Sequence, residues 1–179
     1  MCNVNIELMC PECFKINTVK LRGLSDDKTT CLKFIRNLIY DENSLFYSYT
    51  KCDCCNITMF IIDNTISHII QMLNIKGYLT SFCCEGHGRK SKPYISFKTG
   101  VVTKDEILEY IGDAGDMWCV EEHTRDWETA PHTVIRVIRS LYIQNYDSDV
   151  FKSLYLDKLS KWVERLPWKL GDGHNGNNQ

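Results

Sequence analysis

Two Cys-x-x-Cys pairs constrain this chain more than any other feature of it. Cys10-Pro11-Glu12-Cys13 and Cys52-Asp53-Cys54-Cys55 each present two thiols from one tight turn, and 38 residues separate Cys13 from Cys52. A tetrahedral ion takes two sulfurs at this spacing without straining the turn, and a second pair completes its shell. Zinc suits four thiolates because no geometric preference opposes a tetrahedron and no redox partner is needed. The spacing therefore predicts one structural zinc on Cys10, Cys13, Cys52 and Cys55, with no open coordination position and with binding energy appearing as folding energy. Cys54 leaves the ligand set ambiguous, since Cys52 and Cys54 also form a pair. An iron–sulfur centre and unmetallated thiols are the competing readings.

Ten cysteines in 179 residues pose a question of compartment. The first nine residues lack the basic start, apolar block and cleavage site of a secretory signal. No apolar run approaches the roughly 20 residues needed to span a bilayer. The expectation is a cytoplasmic protein whose thiols are ligands or buried side chains, against five disulfides in a secreted one. Hydrophobic residues make up 44% and charged residues 25%, an ordinary globular balance. The predicted fold is α+β, a mixed and mostly antiparallel sheet with three or four helices. One domain is expected over residues 1–170, with the zinc knuckle inside it at 10–55 and a disordered tail, holding His174, at 171–179.

Periodicity places the elements. Helical spacing covers 25–40, with Cys31, Phe34, Ile35, Leu38 and Ile39 on one face. Strands are predicted at 45–50 and 57–62, bracketing the second cysteine turn as a hairpin would. Asn64 is the expected cap of a helix to about Asn74, with Ile66, Ile69, Ile70 and Leu73 inward, His68 beside the stripe, and Gly77 at its end. Strands follow at 78–83 and 93–98. Thr103 and Glu106 form a capping box before Ile107, Leu108 and Ile111, which Gly112 closes. A strand over 117–121 comes next. Residues 133–143 fit both periods, and their Thr, Val and Ile content favours a strand. Residues 148–166 form the clearest helix, with Phe151, Leu154, Tyr155, Leu159, Trp162, Val163 and Leu166 as its apolar stripe.

The second chemically loaded stretch is the loop Cys84-Glu85-Gly86-His87-Gly88 between two strands, followed by Arg89, Lys90 and Lys92. Its glycines permit close approach to a ligand, and its basic residues suit a phosphate, a carboxylate or an acidic protein surface. Tyr78, Thr80, Glu85, His87, Arg89, Lys90 and Lys92 are the candidate ligand-binding residues. Cys84, His87 and Glu85 are the candidate catalytic group of an enzyme, with a cysteine nucleophile and a histidine base. A second metal site on Cys84 and His87, joined by His123 or Cys119, and a purely structural turn stand beside these readings. The carboxylates around His123, from Glu121 to Glu128, read as a solvated acidic loop.

Around Tyr78, Thr80, Cys84 and Gly86, preceded by a helix bearing Ile66 and Leu73, the chain resembles the wybutosine-synthesising tRNA methyltransferase family over about thirty residues. Phe82 and Cys83 stand where that pattern has serines, Glu85 replaces a third, and His87 stands in place of its arginine. The resemblance implies a nucleotide or RNA substrate at this loop, and methyl transfer is not carried over. The same loop, followed by Tyr94-Ile95-Ser96-Phe97, is similar to small uncharacterised bacterial and phage proteins.

Charge is uneven despite a net value of -2: residues 61–100 carry five Lys/Arg against two Asp/Glu, and residues 101–130 two against nine. Overall acidity argues against broad contact with a phosphate backbone. The leading expectation is a zinc-stabilised binding module acting through a protein partner, with nucleic acid possible and no membrane. The alternative is an enzyme on a nucleotide or RNA substrate, centred on Cys84 and His87.

Overall fold

The computed structural model describes residues 2–24, 50–86, 91–124 and 130–169. The helix predicted at 25–40 with Cys31, most of the strand at 45–50, His87, Arg89, Lys90 and the tail from 171 lie outside the described residues. The chain divides into two compact units, Met1–Gln71 and Met72–Gln179, so the single domain expected over 1–170 contains two such units. Together they make a mixed α+β fold with two antiparallel sheets and, among the described residues, four α-helices. No helix of the described residues is long and apolar enough to cross a membrane.

The first unit holds a three-stranded sheet in the order β2-β1-β3, built from β1 (Cys2–Met9), β2 (Ile16–Leu24) and β3 (Phe60–Ile62). β1 is a strand that the sequence reading does not anticipate. Its signal is the two-residue period at Ile6 and Leu8, both buried, on either side of the half-buried Glu7. Met9 pairs with Ile16, so the first cysteine turn is the tip of the β1–β2 hairpin. The predicted strand at 57–62 is ordered as a ladder only over Phe60–Ile62, with an isolated bridge from Lys51 to Thr58 closing the second cysteine turn.

Helix α1 (Ser67–Ile75) crosses the boundary between the units. Ile66, Ile69, Ile70 and Leu73 are buried and His68 is exposed, as the stripe requires. The helix starts at Ser67, three residues beyond the expected cap Asn64, whose side-chain amide donates to the Asn5 carbonyl at 2.9 Å. At the other end the Tyr78 amide donates to the Leu73 carbonyl and the Gly77 amide to that of Asn74. This is a Schellman closure, and it needs the left-handed φ of +92° at Gly77.

In the second unit a four-stranded sheet runs β4-β5-β7-β6, from β4 (Thr80–Cys84), β5 (Tyr94–Phe97), β6 (Trp118–His123) and β7 (His132–Val137). Ile95, Phe97, Trp118, Val120, Ile135 and Val137 are buried. The register places Val120 opposite Ile135 and Ile135 opposite Ile95 on one face. Helix α2 (Lys104–Ile111) starts at Thr103, whose hydroxyl accepts from the Glu106 amide, and ends at Gly112, so the N-cap and stop are where the sequence puts them. Leu108, expected inward, is 45% exposed. A 3-10 turn (Gly112–Asp116) leads into β6.

The strand predicted through Ile143 ends at Val137, and helix α3 (Arg139–Asn145) follows. Both periods in that stretch were real, one after the other, and the β-branched content decided only the first half. Helix α4 (Asp149–Arg165) begins at Ser148, whose hydroxyl accepts from the Phe151 amide. Its Phe151, Tyr155, Leu159, Trp162 and Val163 are buried, while Leu154 is exposed. The Trp118 indole donates to the Tyr155 carbonyl at 3.0 Å and meets the Tyr155 ring edge-on, which locks α4 to β6.

Candidate metal centre

The two cysteine turns share one backbone design. In the first, the Cys10 amide donates to the Lys15 carbonyl and the Phe14 amide to the Cys10 carbonyl; in the second, the Cys52 amide donates to Ile57 and the Asn56 amide to Cys52. Each turn is closed by a residue with positive φ, Phe14 at 58° and Asn56 at 54°. Asparagine tolerates that region, but for a phenylalanine it is strained by about 1–3 kcal/mol. Gln71 holds the strained residue by donating from its side chain to the Phe14 carbonyl at 2.9 Å.

These repeated turns bring the sulfurs of Cys10, Cys13, Cys52 and Cys55 within 4.8 Å of one another. Two sulfurs on a common tetrahedral zinc stand about 3.8 Å apart, given a Zn–S bond of about 2.3 Å. Cys13 and Cys52 are separated by 3.6 Å, close to that value. None of the four is in a disulfide. The cluster is geometrically suited to hold a metal ion, as the spacing predicts.

Electrostatics divide the thiols of the cluster. The Cys52 thiol is lowered to about 7 from 9.0, first by the Cys55 backbone amide and then, against the cost of burial, by the Cys54 amide. The Cys13 thiol is pushed up to about 12, first by desolvation and further by its contacts with Cys52, Cys55 and Cys10, against a lowering contact from the Lys15 backbone. One sulfur is thus ready to ionise near neutral pH while its neighbour retains its proton. Four thiolates at this separation repel one another, and a divalent cation at their centre removes that penalty.

Cys10 and Cys52 are also core residues. They pack with Ile6, Leu8 and Met59, and Val19, Cys55 and Ile61 lie against the cluster. The apolar part of this cluster is small beside the four sulfurs that converge in it. Outside the shell, Lys15 from the first turn reaches Asp53 of the second at 2.8 and 2.7 Å, with the Cys54 sulfur at 3.9 Å. This pair joins the two turns across the solvent side. Sequence reasoning missed Lys15, and its only signal was a basic residue two positions past a cysteine pair.

The residues of the Cys84 loop are spread along β4. Tyr78 and Thr80 stand at one end of the strand and Cys84 and Glu85 at the other, about 13 Å apart from Thr80 to Cys84 at a strand rise of about 3.3 Å per residue. The Thr80 hydroxyl accepts from the Asn74 side chain, which turns it toward α1. Tyr78 is buried with its hydroxyl unpaired, and the Lys169 ammonium lies 5.1 Å from its ring centre. Glu85 is buried, with Lys152 at 3.8 Å, and its carbonyl accepts from the Tyr155 hydroxyl. The half-buried Cys84 sulfur accepts the Gly86 amide at 3.3 Å and sits 3.6 Å from the Ser91 hydroxyl. Lys92 is half-buried.

No group of three or more ligand atoms forms around Cys84, Cys119 or His123 among the described residues. Cys119 donates to the Arg136 carbonyl at 3.4 Å, and burial raises its pKa. His123 ends β6 and pairs with Glu121 at 2.8 Å, and Arg136 approaches the same carboxylate at 3.2 Å. No protein-family model, curated protein or solved structure matches this chain.

Proposed function

We propose that this chain is a zinc-stabilised intracellular binding module that acts through a protein partner, with nucleic acid as the second partner class. The observation that carries the reading is the closed four-cysteine shell. Its ligands come from two tight turns and from the core itself, so a bound ion has no free position for substrate and acts as a cross-link. Zinc is favoured over an iron–sulfur centre because one tetrahedron of sulfurs is sufficient and no redox function is required of the site.

The outer face of α4 supports the partner half of the reading. Val150 is 80% exposed and Leu154 46%, and with Asp149, Ser153 and Asp157 they line an open groove of about 530 Å³. The two side chains lie one turn apart on the same face of the helix, which joins them into one exposed apolar strip.

The metal half is tested by elemental analysis and native mass of protein purified without added metal, alongside a Cys10→Ser, Cys52→Ser double variant. One zinc per chain, lost in the variant together with folding of the 1–71 unit, is the expected result. A wild-type protein that carries no metal would refute it. The partner half is tested by affinity capture with Val150→Asp, Leu154→Asp protein, and an unchanged set of captured proteins would remove this face from consideration.

A further inference from the structure

We propose that the second cysteine turn binds a further thiophilic divalent cation, zinc or cadmium, through Cys52, Asp53 and Cys54, with the Cys52 sulfur bridging two ions. This rests on the reading that the four-cysteine shell holds the first. One ligand atom from each of the three residues lies within 4.8 Å of the other two. Sulfurs on a common zinc stand about 3.8 Å apart, so a contraction of about 1 Å or less brings Cys54 and Cys52 to ligand spacing. Two thiolates and one carboxylate suit zinc or cadmium, whereas magnesium and calcium take oxygen ligands. Asp53 and Cys54 are exposed while Cys52 is buried, so this ion sits on the solvent side of the first, with water as its fourth ligand.

A cation already occupies that side. The Lys15 ammonium contacts both Asp53 oxygens and stands 3.9 Å from the Cys54 sulfur. The charge count explains why. Four thiolates around one divalent ion leave two negative charges, Asp53 adds a third, and Lys15 offsets one. A second divalent ion takes the place of the ammonium, the Cys54 thiol gives its proton to solvent on ligation, and Cys52 shares its sulfur lone pairs between the two ions. This gives Cys54 a role that the four-sulfur shell leaves open, since it is the cysteine of the Cys-Asp-Cys-Cys turn that faces Lys15 instead of the shell.

The test is native mass spectrometry of the full chain, stripped of metal and titrated with cadmium ions alone. The expected result is one ion bound first and a second at higher cadmium. Cys54→Ser should keep the first ion and weaken the second by about a hundredfold or more, beyond the 10- to 100-fold typical of losing an outer-shell partner. Lys15→Gln should tighten the second about fivefold by removing the competing charge. A single ion at saturating cadmium overturns the proposal and leaves the four-cysteine shell standing. A second ion that survives Cys54→Ser binds elsewhere and overturns it equally. No ion at all in the wild type refutes the four-cysteine reading itself, and this proposal with it.

Discussion

Removing metal should unfold the knuckle and leave the four-stranded sheet in place. The core joined to the cysteines contains three fully buried non-cysteine side chains, Ile6, Leu8 and Met59. Burying three such side chains is worth about 5–9 kcal/mol, an upper bound because unfolded chains already bury some apolar surface. Structural zinc supplies about 10–16 kcal/mol at neutral pH, more than the burial of those three side chains. Hydrogen exchange with and without chelator is the assay. Amides of Cys10, Phe14, Cys52 and Asn56, and those of β1 paired to β2, should lose protection without metal. Amides of β5 and β7, whose core holds none of the four ligands, should keep theirs. Equal protection of β1 in metal-free and metal-loaded protein would refute the reasoning, since the apolar core would then suffice alone.

Other predictions concern the second unit. The buried Lys76 ammonium donates to the carbonyls of Val163, Glu164 and Leu166 at the end of α4, at 2.9, 2.8 and 2.7 Å; Lys76→Met should lower stability by about 3–5 kcal/mol, read from the urea midpoint, because three helix-end carbonyls lose their donor. Gly86 has φ +87°, and a Cβ there would lie 2.8 Å from Pro93 and 2.9 Å from the Tyr142 hydroxyl; Gly86→Ala should cost about 2–4 kcal/mol, and a thermal melt equal to wild type would mean that the loop rearranges freely. The Glu121 carboxylate is held below 4.5, first by its hydrogen bond with His123 and, against desolvation, by Arg136. A lowered folded value gives stability that is present above 4.5 and lost as pH falls through that value, so the melting-temperature advantage over Glu121→Gln should be full at pH 6 and shrink in acid below 4.5. An advantage that stays constant across that range would exclude Glu121 as its source.

The four-cysteine cluster was legible in the sequence because turn-borne ligands declare themselves by local spacing: two residues between thiols leave little else for a tight turn to do. The helix signals read equally well at Thr103 and Gly112, since a cap is a contact between residues a few positions apart and needs no distant partner. The switch at Ile138 was hidden because a strand and a helix that meet without a glycine or proline leave overlapping periods. Asn64 stands three residues ahead of the helix it was expected to cap, and its side-chain amide donates to the Asn5 carbonyl 59 residues away, a contact that no local pattern records. Sequence alone thus determined the four-cysteine cluster, the α+β class and most helix boundaries, all of which rest on interactions a few residues long. Only the tertiary structure decided that two sheets form in two units, that Lys15 bridges to Asp53, and that Cys54 lies outside the shell of four. Those outcomes turn on contacts between residues tens of positions apart, where competing partners differ by a few kcal/mol and no local pattern records which one wins.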